Sequence, residues 1–255
     1  MHAEPPFLLE QLTKWVDAQI GQLIPINDYI VMTWVVMLII IAAAVVIRLG
    51  LKKIPQGLQN IIEILTQELL NLSEQLMGKN ARFFLPLMGT FTIFILVSNL
   101  IGLIPGFKAP TANWNTTIAM AVIVFLSTHF FGIKQKGLIK YLKHFTDPCP
   151  QMGWWVWLTP LPYGLFFIHL IGEIAKPFSL SIRLFINMAS KHLMLGVLAL
   201  LFILFLNKLA LLILPALLVP FVMALGILVC FVQTFIFVLL SMVYIGMATQ
   251  EEEPI

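Results

Sequence analysis

The chain has 255 residues, of which 60% are hydrophobic and 11% are charged, whereas soluble domains carry roughly 25% charged residues. A composition this apolar excludes an ordinary soluble protein, which would expose large apolar patches. The net charge of +3 is modest and gives no indication of nucleic-acid binding or of an acidic substrate. Cys149 and Cys230 lack the spacing of a metal site or a disulfide framework, and no cofactor is expected. We therefore expect an all-α, polytopic membrane protein.

The first half of the chain predicts three membrane-spanning helices and one helix along the membrane surface. Residues 1–28 form a mixed N-terminal segment that we expect outside the membrane. Uncharged apolar runs predict spanning helices, because about 20 such residues cross the hydrocarbon core. These runs cover residues 29–47, 83–107 and 116–133. Residues 55–78 combine a leucine-rich stripe with three glutamates, which predicts an amphipathic interfacial helix.

The last third predicts two unusually long helices, residues 160–206 and 209–248, with a turn only at Asn207 and Lys208. At about 1.5 Å per residue each would extend roughly 60–70 Å, about twice the hydrocarbon thickness. Two stacked spans in each segment would need an internal polar loop, which neither contains. We therefore predict a strongly tilted helical hairpin that rests against a partner surface, giving five membrane-crossing helices in total.

Basic residues mark one side of the membrane under this scheme. If the first three spans alternate, nine lysines and arginines fall on that side and three on the other. The nine are Arg48, Lys52, Lys53, Lys79, Arg82, Lys134, Lys136, Lys140 and Lys143. The positive-inside rule then places the N-terminus outside and the C-terminus in the cytoplasm. The N-terminus lacks the pattern of an organelle-targeting leader, so a bacterial inner membrane is expected, and an organelle-encoded protein, which would also lack a leader, is the alternative.

The first long helix carries ionisable groups inside the membrane. Polar residues recur there at steps of three or four, with Leu180 as the one apolar gap, and so line a single helix face. They are His169, Glu173, Lys176, Arg183, Asn187 and Lys191. A charge in hydrocarbon costs at least ~2.5–3.5 kcal/mol, so such residues are functional candidates. The structural alternative is a polar seam between packed helices.

Arg183 is the most informative of these residues. Glu173 can pair with Lys176, but the second long helix offers no carboxylate to Arg183. An arginine stays protonated and cannot relay protons, so a fixed cation here suits a gate between ion paths. Arg183 lies 24 residues before Asn207 and Gln233 lies 25 residues after Lys208, so a symmetric hairpin would bring Arg183 and Gln233 to the same depth.

Four segments carry a resemblance to a known family. They are KPFSLSIRLFINM at 176–188, QTFIFVLLSMVYIGMA at 233–248, SNLIGLIPGF at 98–107 and NTTIAMAV at 115–122. Together they resemble subunit a of the F-type ATP synthase over nearly the whole chain. The resemblance implies a proton-translocating subunit whose partners are the c-subunit ring, the b subunits of the peripheral stalk and the lipid bilayer.

The resemblance also implies roles for single residues. Arg183 would be the essential arginine that releases the proton of each c-subunit carboxylate and separates two half-channels. Asn187 would belong to the outer half-channel, His192 would relay protons, and Gln233 would face the arginine. The proton relay is favoured for His192 because histidine is the side chain that ordinarily changes charge near physiological pH, although a purely structural hydrogen bond is the alternative.

Several positions depart from the family pattern. Lys191 replaces a small residue and adds a cation to the outer path, and Gly226 replaces the titratable partner of the His192 position. Asn113 stands where an aspartate is often found. Glu173 and His169 lie toward the inner half-channel, but their match to the family's acidic position is shifted.

Two other functions remain as alternatives. A secondary ion transporter would predict paired broken helices in two related halves, which this sequence lacks. A non-transporting scaffold would leave Arg183 without a purpose. The choice between H⁺ and Na⁺ depends on ligands in the c subunit and is not encoded in this chain.

Overall fold

A computed structural model describes residues 28–52, 55, 57–104, 107–137, 161–205 and 209–249. These residues form six α-helices and two short 3₁₀ turns. The helices are α1 (Asp28–Leu49), α2 (Leu58–Met77), α3 (Ala81–Ile101), α4 (Trp114–Lys136), α5 (Leu161–Phe205) and α6 (Leu209–Thr249). Residues 1–27, residues 138–160, the predicted turn at Asn207 and Lys208, and residues 250–255 lie outside the described residues.

Five of the described helices are long and apolar enough to cross a membrane: α1, α3, α4, and the parts of α5 and α6 at Tyr163–Val197 and Leu218–Thr249. The prediction of an all-α membrane protein with five crossing helices is confirmed. The segment 83–107 differs from expectation, because α3 ends at Ile101 and single turns follow. Pro105 is incompatible with a helix that continues to residue 107, since proline disfavours helical backbone in the residue before it.

Contacts between helix ends agree with alternating crossings. At one face the ammonium of Lys108, which follows α3, lies 2.6 Å from the Asp28 carboxylate at the start of α1. At the other face Asn80, just before α3, donates a 3.2 Å hydrogen bond to Gln135 near the end of α4. Each contact joins ends that successive crossings bring to the same side of the membrane.

The core lies where α2, α3, α4, α5 and α6 meet. Its fully buried side chains come from all of the spanning helices except α1, and include Met88, Ile95, Leu184, Phe237 and Ile245. The helix α2 contributes its predicted leucine stripe: Leu69 is buried, and Leu65, Leu72 and Leu76 pack against the same cluster. The stripe therefore holds α2 against the bundle, and α2 is not among the described helices able to span.

The two long helices pack against each other and against α4. The helix α5 has 45 residues and includes Pro177, and α6 has 41 residues. Both exceed the hydrocarbon thickness, since 41 residues extend about 60 Å. The steep tilt of this hairpin relative to the membrane stays a prediction.

Gly246 allows the end of α2 to approach α6 closely. A Cβ atom at this position would lie 2.6 Å from the backbone carbonyl oxygen of Leu76, which cannot move as a side-chain end could. We expect Gly246→Ala to cost about 1–3 kcal/mol through overpacking, and so to lower the thermal unfolding midpoint of the assembled protein. Gly89→Ala is the control, because nothing lies within 4 Å of its Cβ position; equal midpoints in the two variants would contradict the close approach.

Candidate ion-translocation site

The residues on the polar face of α5 differ in how far neighbouring helices cover them. Glu173, Lys176, Asn187 and Lys191 are half-buried against neighbouring helices, whereas Arg183 is exposed. The apolar gap at Leu180 is buried in the core, as is Leu184. Exposed α5 residues recur with Arg183 at steps of three or four. They are Ser179, Ile186, Ser190, Leu193 and Val197. Arg183 therefore lies on an outward-facing stripe, at the edge of the half-buried polar face.

The Arg183 guanidinium makes no hydrogen bond or ion pair with any residue that the structure describes. It belongs to a part of α5 that is apolar enough to lie in a membrane. A permanently charged group in hydrocarbon requires a partner, water or another protein surface. The Arg183 guanidinium on the exposed stripe of α5 therefore requires water or a group outside the described residues.

On one side of Arg183, toward the start of α5, a cation and an anion neutralise each other. The Lys176 ammonium is paired with the Glu173 carboxylate one turn earlier. The same ammonium lies 5.7 Å from the centre of the Tyr244 ring on α6, within the range of a cation–π contact. His169 lies two turns before Lys176 and is exposed. This end of the site is therefore ionic and close to neutral overall.

On the other side, Asn187 joins α5 to α6. Its amide nitrogen donates a 2.5 Å hydrogen bond to the Gln233 side-chain oxygen. Gln233 is 2% exposed. The count from the turn placed Gln233 at the depth of Arg183, and the hydrogen bond in the structure joins Gln233 to Asn187, one helical turn later on α5.

Lys191 lies one turn beyond Asn187 and contacts sulfur atoms instead of a carboxylate. Its ammonium is 3.3 Å from the Cys230 Sγ atom and 3.5 Å from the Met188 Sδ atom. The Cys230 thiol in turn donates a 3.4 Å hydrogen bond to the Asn99 backbone carbonyl on α3. Sulfur accepts hydrogen bonds weakly, so this cation lies in an environment that stabilises its charge poorly.

Asn99 extends the polar region into α3. Its side-chain oxygen accepts a 2.7 Å hydrogen bond from the Thr111 hydroxyl, and Asn99 is fully buried. Three buried polar atoms lack hydrogen-bond partners among the described residues: Ser98 Oγ, Asn99 Nδ2 and Gln233 Nε2. Buried polar atoms are nearly always hydrogen-bonded to protein or water, so these positions could hold water within the bundle.

Sequence reasoning missed Asn99, Thr111 and Cys230 as parts of this region. One available signal was Asn99 itself, a polar residue within a mostly apolar spanning segment, since polar residues are uncommon inside membranes. Its contact with Cys230 joins residues 131 positions apart. No local pattern predicts such a pairing.

Two further sequence-predicted positions can be located. His192 belongs to α5, directly after Lys191, and its side chain lies outside the described residues. Gly226 lies on α6, where a Cβ atom would be 2.7 Å from a terminal methyl carbon of Leu103. A larger residue at 226 would have to displace the Leu103 side chain. Leu103 therefore fills the space that a titratable side chain at position 226 would need.

Comparisons with known proteins agree with the resemblance. The ATP synthase A chain family matches residues 30–246. "ATP synthase subunit a" of Trichlorobacter lovleyi is 41% identical over 243 residues, which cover 93% of this chain and 96% of the relative. "ATP synthase subunit a" of Geobacter sulfurreducens is 43% identical, covering 88% of each chain. "ATP synthase subunit a 3" of Pelobacter propionicus is 41% identical, covering 96% of this chain and 98% of the relative.

Both kinds of match extend over most of the chain, and the family match reaches into every spanning helix described above. The resemblance stated from the four sequence segments is confirmed. The chain belongs to the ATP synthase A chain family.

Proposed function

We propose that this chain is the proton-translocating subunit a of an F-type ATP synthase, in which two half-channels lead protons to and from the carboxylates of a c-subunit ring. Arg183 separates the half-channels and interacts with each carboxylate in turn. Ion flow thereby drives rotation of the ring, which the complex uses for ATP synthesis. The chain itself holds no catalytic site in this proposal.

The exposed Arg183 is the observation that carries the proposal. It is a fixed cation on a spanning helix, and the described residues provide no carboxylate for it. A passing carboxylate on another chain would satisfy this charge and would lose its proton to do so, because a nearby cation favours the ionised form. An arginine between two water-filled paths also repels a proton that would otherwise cross directly.

The polar groups on the two sides of Arg183 support one half-channel each. Asn187, Gln233, Lys191 and the buried Asn99 supply polar atoms on the side that the topology places outside. Glu173, Lys176 and His169 supply them on the side that it places toward the cytoplasm. His192 remains the proposed relay of the outer path, since a neutral imidazole can accept a proton at one nitrogen and donate one at the other.

The partners and location follow from the same proposal. The c-subunit ring would cover the exposed stripe of α5 that includes Arg183. The b subunits of the peripheral stalk would hold this chain against the rotating ring. The chain is a multi-pass membrane protein, and we place it in a bacterial inner membrane with its N-terminus outside and its C-terminus in the cytoplasm.

Thiol accessibility tests the two half-channels. In a background with both native cysteines replaced by serine, Asn187→Cys and Glu173→Cys are introduced singly into the assembled complex. Silver ion, which is small and binds thiolates, should inhibit Asn187→Cys when added outside and Glu173→Cys when added inside. Leu180→Cys is the control, because Leu180 is 2% exposed and should resist inhibition from either side. Equal inhibition of both test variants from one side would contradict separate half-channels.

A further inference from the structure

A pocket of about 290 Å³ opens at the membrane face where α3 begins and α4 ends, away from the ion-translocation site. It is lined by Asn80, Phe83, Phe84, Phe131, Lys134 and Gln135. Three of these residues are aromatic, three are polar, and none is acidic. The 3.2 Å hydrogen bond from Asn80 to Gln135 joins the two helices at its polar rim. Neither α5 nor α6 contributes to the pocket.

The rim carries an uncompensated positive charge. Lys134 is exposed, and its ammonium makes no ion pair or hydrogen bond with any other described residue. Arg82, in the first turn of α3, differs from Lys134 because its guanidinium lies 3.7 Å from the Glu74 carboxylate. The Gln135 amide nitrogen likewise has no hydrogen-bond partner among the residues described. A cation and an amide donor at one rim fit an anionic oxygen-rich group.

The floor of the pocket is apolar. The rings of Phe83, Phe84 and Phe131 contact one another edge to face, with centroids 4.8–5.3 Å apart. Phe84 is buried, but Phe83 remains 66% exposed. The pocket thus combines a cationic rim at the membrane face with an aromatic floor that continues into the bilayer region. This is the polarity of an amphiphile that carries a negative headgroup.

We propose that this pocket binds one anionic phospholipid, with its phosphate at Lys134 and Gln135 and its first acyl carbons on the Phe83 and Phe131 rings. The pocket lies at the face with the excess of lysines and arginines, where the anionic headgroups of the leaflet concentrate around cations. A zwitterionic lipid would bring its own positive group toward Lys134 and lose the charge complementarity. A soluble phosphate would leave the apolar floor uncovered.

Site-specific photolabelling of the whole ATP synthase complex in nanodiscs tests the proposal. The probes are phosphatidylglycerol and phosphatidylcholine, each with a photoactivatable group on the glycerol-proximal part of an acyl chain. The phosphatidylglycerol probe should label peptides that contain residues 80–84 or 131–135, and the phosphatidylcholine probe should not. Lys134→Gln should reduce that labelling about fivefold, the equilibrium factor for one cation close to the membrane surface.

Two further variants serve as controls. Lys134→Arg keeps the charge and should keep the labelling, which guards against a folding defect in Lys134→Gln. Lys136→Gln removes a cation from the same last turn of α4 without touching the pocket lining, and should label as wild type. The proposal is overturned if Lys134→Gln and Lys136→Gln label equally, or if both probes label wild type equally. Failure of both probes in the intact complex would also overturn it, in favour of a protein subunit over the pocket.

Discussion

Arg183→Ala is expected to reduce proton-driven ATP synthesis to background, a loss of at least about two orders of magnitude. The reason is electrostatic: loss of a preorganised charge at the reacting position typically costs about 10²–10³ in rate. Without the cation, a c-subunit carboxylate in the membrane keeps its proton, since desolvation favours the neutral form. The measurement is ATP synthesis by reconstituted vesicles under an imposed pH gradient and membrane potential, together with the passive proton leak of the same vesicles.

The variant should still assemble, because Arg183 is exposed and makes no hydrogen bond or ion pair with the described residues of its own chain. Arg48→Ala is the matched control: Arg48 is also exposed, but it lies in the last turn of α1, away from the proposed path. It should retain near wild-type synthesis. Coupled synthesis at wild-type rates in Arg183→Ala complexes would refute the proposed function.

The second prediction concerns the hydrogen bond from Asn187 to Gln233. It distinguishes a role of this pair in proton transport from a role in helix packing. Asn187→Leu should destabilise the protein by about 1–3 kcal/mol, because it leaves the buried Gln233 side chain without its partner. The double variant Asn187→Leu with Gln233→Leu should regain most of that stability, since replacing both partners by apolar groups can be nearly neutral. Both variants should lose proton pumping by about tenfold or more, because each lacks a positioned polar path.

Thermal unfolding midpoints of the purified complexes and ATP-driven pumping in inverted vesicles provide the two readouts. Ser181→Ala is the control, because Ser181 makes a buried 3.1 Å hydrogen bond from α5 to Thr117 on α4, off the proposed path. It should lower stability slightly and leave pumping intact. If the double variant regains pumping along with stability, the pair serves packing alone.

Much of the fold could be predicted from the sequence. Uncharged apolar runs determine the spanning helices, since backbone polar groups in lipid must be satisfied within the segment itself. The leucine stripe of α2 likewise predicted an amphipathic helix, and that helix packs through Leu69 against the bundle. The end of α3 was misplaced by six residues, because hydropathy continues through Leu103 and Ile104 although the helical hydrogen bonds end at Ile101.

The candidate site was predictable only in part. Helical periodicity placed Arg183, Asn187 and Lys191 on one face of α5, because residues three or four apart lie side by side on a helix. The same periodicity could not distinguish the exposed position of Arg183 from the half-buried position of Asn187. That distinction depends on how far α6 and α4 extend around α5, which is a matter of packing.

By itself, therefore, the sequence determined that this is an all-α membrane protein with ionisable groups inside its first long helix, and the four segments identified its family. These properties depend on local hydropathy and on residues close together in the chain. Only the tertiary structure decided that Gln233 bonds Asn187 rather than Arg183, and that Asn99 and Cys230 adjoin Lys191. Those contacts join residues 39 to 131 positions apart, and their register depends on how side chains from three helices fill one shared core.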